Sequence, residues 1–230
     1  MSANEPVNGK PRRGRAAMIA VLSGWASALL LLGSATAQAP ASVYRSHFAD
    51  APPARVGQAS RSGGENVQLV VLAPDRKGAS ASPSPRLAWY LSATSTKPFE
   101  IVIQERGADR PLLERRFESA GTAGFHSIDL DEHAIQLEEG KEYEWSVALI
   151  NDPARRASDL FSKGVVQYVP TSGPLPSGEP EAVVNEYLAR GYWYDAIAMM
   201  QQTPQGEPPR AEMIALRQRV LEAEQLLVQP

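Results

Sequence analysis

The order of apolar and polar residues between positions 66 and 170 is typical of short β-strands separated by turns. In the clearest stretch, residues 143–149, large apolar side chains occupy every second position. Because successive side chains of a strand point to opposite faces, this period of two gives each strand one face for a core. The pattern predicts seven strands, at residues 67–72, 87–91, 99–104, 112–117, 125–130, 143–149 and 164–169. Seven short strands without intervening helices predict a mainly β fold, an antiparallel sandwich of the immunoglobulin or fibronectin type III kind.

The period changes after Pro170. Residues 171–178 are rich in Pro, Gly and Ser and predict a linker, whereas residues 179–228 show apolar residues at helical spacing. A first helix is expected to end at Gly191, and two more are predicted over about 193–202 and 209–227. The chain is therefore expected to be a β-sandwich domain, residues 66–170, followed by a small C-terminal helical hairpin or three-helix appendage.

The first 37 residues have the order of features that export signals share. Four basic residues precede an uncharged apolar run at 16–33, and Ala35-Thr36-Ala37 then fits the small-x-small rule of signal peptidase. We expect a Sec-type signal peptide that is cut after Ala37, and a protein of the periplasm or cell envelope. The apolar run is also just long enough to span a bilayer, so retention as an N-terminal anchor stays open. Residues 38–65 have few large apolar side chains, which predicts a disordered linker.

Charge and cysteine content narrow the classes of partner. Removal of the leader takes away four basic residues and one acidic residue, which shifts the net charge from −3 to −6. Nucleic acid and anionic membrane surfaces are then poor partners, and contact with a membrane is expected only through an uncleaved leader. The chain contains no cysteine, so it can form neither disulfides nor thiolate metal sites.

One tyrosine supports the sandwich prediction. Tyr143 stands at the start of the sixth predicted strand, six residues after Leu137. This arrangement predicts a tyrosine corner, in which the hydroxyl bonds to the backbone a few residues upstream. The alternative is a tyrosine that merely packs in the core.

No catalytic, metal-binding or cofactor-binding motif is present. The three histidines, at 47, 126 and 133, lack zinc-site spacing, and there is no Gly-x-Ser-x-Gly elbow, phosphate loop or dinucleotide fingerprint. Five acids flank one predicted loop without matching a calcium loop: Asp129, Asp131, Glu132, Glu138 and Glu139. We therefore expect no cofactor, no metal and no enzymatic activity. An enzyme that uses dispersed carboxylates stays open as an alternative.

Two stretches resemble a known bacterial family. The first runs through Gly140–Trp145, Asn151-Asp152-Pro153 and the strand Gly164–Val169, and the second is Gly191–Ala196. In order and spacing they resemble domain of unknown function 928, over roughly residues 66–202. The resemblance implies an exported protein with no assigned activity or catalytic residues. A cysteine that often precedes the Asp in that family is replaced by Asn151, so no role of that thiol carries over.

Clustered aromatics suggest a contact surface. Three consecutive aromatics, Tyr192, Trp193 and Tyr194, begin the second predicted helix and cannot all face one core. At least one is expected near the surface, where Tyr and Trp favour interfaces. The same segment resembles a tetratricopeptide half-repeat, although a single copy cannot form a solenoid. The sequence therefore favours a non-enzymatic protein–protein interaction module that binds an unknown envelope protein through these residues, and the simpler alternative is a hairpin that only covers the sandwich edge.

Other binding surfaces are possible. A periplasmic glycan or small-ligand domain could stack a sugar on Trp89, Tyr90 or Trp145, but alternation places Trp89 and Trp145 inward. A basic cluster around the predicted hairpin could take an acidic partner or a polyanionic glycan, or could simply protect a strand edge from aggregation. Its members are Arg106, Arg110, Arg115 and Arg116.

Overall fold

The structure, a computed structural model, describes residues 44–57, 67–202 and 210–226. In these ranges the strands are β1 (Leu69–Val71), β2 (Gly78–Ser80), β3 (Arg86–Leu91), β4 (Phe99–Glu105), β5 (Leu113–Phe117), β6 (Gly124–Asp129), β7 (Glu142–Leu149) and β8 (Leu160–Tyr168). The α-helices are α1 (Pro180–Ala189), α2 (Trp193–Gln201) and α3 (Ala211–Ala223). The predicted leader lies outside the described residues. None of the described helices is long and apolar enough to cross a membrane.

The strands form two sheets. One has the order β1-β3-β6 and the other the order β2-β8-β7-β4-β5. Their inner faces carry the alternating apolar residues, and Trp145, Ile101 and Leu87 are almost completely buried between them. The predicted mainly β sandwich with C-terminal helices is confirmed.

Strand β2 differs from the prediction, which treated residues 73–85 as a loop. It pairs with β8 in parallel, with Gly78 opposite Val166, while the other strand pairs are antiparallel. Its three residues, Gly78, Ala79 and Ser80, are all buried. A strand without exposed residues has no alternation to detect, and small residues give no strand signal. Only packing against β8 and α2 defines β2.

The predicted tyrosine corner is confirmed. Tyr143 is buried at the start of β7, and its hydroxyl oxygen accepts a 3.0 Å hydrogen bond from the backbone N–H of Glu138. This bond satisfies the one polar group of a side chain that is otherwise part of the apolar core.

Helix α1 ends at Ala189, and Gly191 terminates it as predicted. Gly191 has φ +83°, its N–H donates to the carbonyl of Leu188, and the Tyr192 N–H donates to the carbonyl of Tyr187. These two bonds form a Schellman motif, in which a glycine adopts the left-handed conformation at little cost. A Cβ at this position would also lie 2.5 Å from the carbonyl oxygen of Arg45, so only glycine leaves room for the neighbouring segment that contains Arg45.

That neighbouring segment is residues 44–57, which we call the N-terminal strap. The predicted disordered linker, residues 38–65, is wrong for this part. Tyr44 packs edge-on against Trp193 at 5.0 Å, and Val56 forms a bridge with Lys163 at the edge of β8. Arg55 donates to the carbonyl oxygens of Ala73 and Glu224, at 3.0 and 3.2 Å, which joins the strap to the end of α3. A few aromatic and hydrogen-bonding contacts thus order a stretch whose composition alone indicates disorder.

The helices are part of the sandwich unit. The described residues fall within one compact unit, and the buried side chains of the sandwich and of all three helices belong to one apolar cluster. The predicted division between a sandwich, residues 66–170, and a helical segment, residues 179–228, therefore follows the change in secondary structure and does not separate two cores.

Candidate functional site

The predicted contact residues Tyr192, Trp193 and Tyr194 are all buried, with 5%, 0% and 1% of their surface exposed. Their assignment as an accessible contact surface is wrong. The prediction assumed that one helix face meets one core, which would leave at least one ring outside. Here the strap covers the side of α2 that the sandwich does not, since His47 lies 5.0 Å from the Tyr192 ring and Tyr44 lies against Trp193.

These aromatics instead anchor α2 to the sandwich. Trp193 Nε1 donates a 2.8 Å hydrogen bond to the Leu72 carbonyl. The Tyr194 hydroxyl accepts from Trp145 Nε1 and donates to the Val165 carbonyl, both at 3.0 Å. Burial raises the pKa of Tyr194 far above its ordinary value, so the hydroxyl keeps its proton and its donor role.

The candidate sugar-stacking residues are not accessible either. Trp89, Tyr90 and Trp145 are 5%, 5% and 0% exposed. The Trp89 ring stacks on His126 at 5.8 Å, which accounts for one of the three histidines. None of the three rings offers a free face to a ligand.

The described part of the chain does contain a cleft, which sequence reasoning missed. It has a volume of about 470 Å³ and lies where α2, α3, the start of α1 and the start of β3 meet. We call it the arginine–methionine cleft. Its lining residues are Arg86, Pro180, Met199, Met200, Gln201, Gln202, Arg210, Met213, Ile214 and Arg217.

The floor of the cleft is apolar. Met200 and Met213 are buried, Met199 is half-buried, and Ile214 leaves 44% of its surface exposed. Unbranched Met side chains adapt to differently shaped apolar groups, which is why they are common at surfaces that bind several partners. The side-chain Nε2 of Gln201 is buried among the described residues without a hydrogen-bond partner. It is a donor without an acceptor beside this floor.

Three arginines give the cleft its charge, and they differ in their pairing. Arg86 donates to Asp129 at 2.7 Å, so its charge is balanced. The Arg217 guanidinium lies 3.8 Å from the centre of the Phe125 ring, and burial lowers its pKa. Arg210 is exposed just before α3, and neither it nor Arg217 makes an ion pair in the described part of the chain. Among the described residues, therefore, no carboxylate balances these two positive charges, and no acidic residue lines the cleft.

A small polar recess of about 160 Å³ adjoins the cleft and shares Arg86 and Gln202 with it. Asp195 of α2 stands in this recess and accepts a 2.8 Å hydrogen bond from the Ala81 N–H, which fixes the turn after β2. Burial raises the pKa of Asp195 from 3.8 to about 6, although hydrogen bonds from Ala81 and Ser80 act in the opposite direction. The recess holds α2 against the sandwich through this carboxylate.

Metal-ligating side chains do not gather anywhere in residues 44–57, 67–202 and 210–226: no three His, Cys, Asp or Glu residues could share one ion there. Of the acids noted in the sequence, Asp129 pairs with Arg86 and Glu138 with Lys141. Two of the four arginines of the basic cluster, Arg115 and Arg116, are exposed on the edge strand β5, and Arg106 pairs with Glu142.

The signal that could have revealed the cleft is a spacing in α3. Met213, Ile214 and Arg217 are spaced so that they lie along one face of the helix, and Arg210 stands three residues before Met213, directly ahead of the first turn. The sequence pattern selected the neighbouring stripe, Met213, Leu216, Val220, Leu221 and Leu227; the first four are buried as expected, and Leu227 lies outside the described residues. The two stripes overlap at Met213, and only the packing of α3 on α2 distinguishes the exposed stripe from the buried one.

Fold and cleft together define a two-sheet β-sandwich whose core is completed by C-terminal helices. The chain belongs to the family described as Domain of Unknown Function (DUF928), whose model matches residues 56–228. No curated protein matches the chain.

Two solved structures show slight similarity. An engineered protein is 9% identical, with a TM-score of 0.30. The match covers 44% of this chain and only 20% of the engineered protein. The ligand binding region of Serine-glutamate repeat protein A of Enterococcus faecium is 12% identical over 48% of this chain and 100% of its own, with a TM-score of 0.28. Likeness at this level carries no argument about function.

Proposed function

We propose that the protein is an exported, non-enzymatic protein–protein interaction module of the cell envelope, and that the arginine–methionine cleft is its contact surface. The observation that carries the proposal is the combination of an apolar Met floor with unpaired arginines in one open cleft. Met and Arg are enriched in protein interfaces relative to other surface, and Arg is frequent among the residues that contribute most binding energy.

The surroundings of the cleft suit binding rather than catalysis. α2 is held to the sandwich by the buried hydrogen bonds of Trp193, Tyr194 and Asp195, so the Met floor stands on a rigid support. A rigid support lowers the entropy lost on association. The floor offers apolar contact, the rim offers charge, and the cleft presents no pair of groups arranged for proton transfer or nucleophilic attack.

Site-specific photocrosslinking in the producing organism tests this proposal. A photoreactive residue is placed at Ile214, in the cleft, or at Leu112, in the β4–β5 turn, which have nearly equal exposures of 44% and 45%. We expect one defined envelope protein to crosslink from position 214 and not from position 112, and the purified pair to bind directly. Ile214→Glu should remove this binding because a carboxylate would have to be buried against methionines, whereas Leu112→Glu should not. Equal labelling from both positions, or full binding by Ile214→Glu, would refute the cleft as the contact surface.

Export is a separate part of the proposal. We expect the mature protein to begin at Gln38 and to fractionate with the periplasm or envelope, because of the basic, apolar and small-residue order of residues 1–37. N-terminal sequencing of the protein from fractionated cells tests this. An intact Met1 start in a membrane fraction would support the anchor instead, and recovery from the cytoplasm would refute export.

A small-ligand domain is the second candidate. The cleft volume of about 470 Å³ lies within the range usual for small-molecule sites, about 300–1,000 Å³. Native mass spectrometry of the protein purified from its own cells distinguishes the two candidates: a bound small molecule that Ile214→Glu releases would favour ligand binding. The burial of Trp89 and Trp145 removes aromatic platforms for a sugar, so an apolar ligand fits the cleft better than a glycan.

A further inference from the structure

We infer that the partner segment is an amphipathic helix with an apolar centre flanked by two carboxylates, which pair with Arg210 and Arg217. This inference rests on the proposed function and specifies its partner. It follows from the order of the residues that line the cleft at the start of α3: Arg210 directly precedes the helix, and Met213, Ile214 and Arg217 follow in its first two turns.

The charges of the cleft favour an acidic partner. The protein as a whole is acidic, with a net charge of −3, yet the described residues that line its cleft include three arginines and no acid. Asp129 balances Arg86, which leaves Arg210 and Arg217 to attract a partner. Charge complementarity of this kind steers association and fixes the register of the bound segment.

The spacing of the charges fixes the form of the partner. Seven residues of α-helix rise about 10 Å, so the backbone of Arg217 lies about 10 Å along the helix axis from that of Arg210, the residue that directly precedes α3. A second helix that carries acids at positions i and i+7 has the same separation, and its residues i+3 and i+4 then lie over Met213 and Ile214. Binding of an amphipathic helix in an apolar groove through i, i+3, i+4 and i+7 anchors is a common recognition mode, and Met-rich surfaces suit it.

Binding of matched peptides to the full protein, purified from its envelope fraction, tests the inference. The probes are two fluorescein-labelled helical peptides with Leu at i+3 and i+4, one with Glu and the other with Gln at i and i+7. We expect the Glu peptide to bind at least about tenfold more tightly, and its advantage to shrink with added salt because the flanking charges are at the surface. Equal affinities, or no binding of either peptide, would overturn the inference.

A charge-matched pair of variants locates the effect. Arg210→Gln/Arg217→Gln should abolish the preference for the Glu peptide, whereas Arg115→Gln/Arg116→Gln removes the same charge from edge strand β5 and should leave it intact. Arg115 also lies over an aromatic ring, Phe117 at 5.1 Å, so the control reproduces the ring contact that Arg217 makes with Phe125. If the double variant at the cleft unfolds, the single variant Arg210→Gln, at an exposed position, can be measured in its place. It should show a smaller loss of preference for the Glu peptide. A preference lost only in the β5 variant would place the acidic partner on the basic cluster instead.

The two proposals can fail separately. If a partner crosslinks from position 214 but the Glu and Gln peptides bind equally, the proposed interaction module stands and the inferred acidic helix is refuted. No crosslink from position 214, together with equal peptide affinities, would remove both.

Discussion

The indole Nε1 of Trp145 donates a 3.0 Å hydrogen bond to the hydroxyl of Tyr194, and both side chains are completely buried. Trp145 belongs to the strand that the sequence identifies most clearly, and Tyr194 to a helix 49 residues later. The bond joins the sandwich to α2, and through α2 it supports the Met floor of the cleft. It also gives the buried Tyr194 hydroxyl a hydrogen-bond partner inside the core.

Tyr194→Phe should destabilise the protein by about 2–3 kcal/mol, because it leaves the Trp145 N–H and the Val165 carbonyl buried without their partner. The free energy of unfolding from urea titration measures the loss. Tyr168→Phe is the control, since the half-buried Tyr168 hydroxyl makes no hydrogen bond among the described residues, and a change within about 0.5 kcal/mol is expected. Equal effects of the two substitutions would show that the hydroxyl of Tyr194 contributes nothing specific.

Gly164→Ala should also destabilise the protein, by about 2–3 kcal/mol, through overpacking. Gly164 lies opposite Trp145 in the β7–β8 ladder, and a Cβ there would be 2.4 Å from the Cβ of Ala73. Gly173→Ala provides the comparison, because no atom lies within 4 Å of its Cβ position. Differential scanning calorimetry should show a lower Tm for the first variant and an unchanged or slightly higher Tm for the second. A neutral Gly164→Ala would mean that the Ala73 segment moves aside freely.

Asp195 should make stability depend on pH between about 4 and 6. Burial raises its folded-state pKa to about 6, above the ordinary 3.8, so in this window the folded protein holds a proton that the unfolded chain has released. The contribution of Asp195 to stability therefore falls as pH rises through the window and stays low above it. Asp195→Asn removes this penalty and should be about 1–3 kcal/mol more stable than the parent at pH 7.5, with the difference vanishing near pH 4.

Urea titrations at a series of pH values test this profile. Asp109→Asn, at an exposed turn position, should keep the parental pH dependence and serves as the control. A variant Asp195→Asn whose stability parallels the parent at every pH would show that Asp195 is not the group responsible.

Arg55→Gln should loosen the last turn of α3. The Arg55 guanidinium donates to the Glu224 carbonyl just after α3, where a cation also interacts favourably with the negative end of the helix dipole. Hydrogen exchange should show protection in that turn reduced by about 1–2 kcal/mol, while β7 and β8 keep theirs. Arg76→Gln is the matched substitution, because Arg76 is half-buried without a hydrogen bond in the described part of the chain. Unchanged exchange in α3 would show that the strap does not restrain it.

The sequence by itself determined the elements whose pattern is local. Period-two alternation predicted β7 because its inward and outward residues differ strongly in polarity. Gly191 predicted the end of α1, and the position of Tyr143 at the start of a strand predicted the hydrogen bond of its hydroxyl. The DUF928 family was also apparent from short motifs. Each of these signals depends on residues within a few positions of one another.

Only the tertiary structure decided which faces are covered. Strand β2 has no alternation of its own and exists because β8 and α2 bury it. The N-terminal strap is ordered by contacts with residues more than a hundred positions away. Tyr192–Tyr194 are buried because the strap covers the side of α2 that the sandwich leaves open. The cleft likewise combines side chains from four separate elements. Burial is a property of contacts between distant segments, and the order of residues along the chain specifies such contacts only through the fold that brings them together.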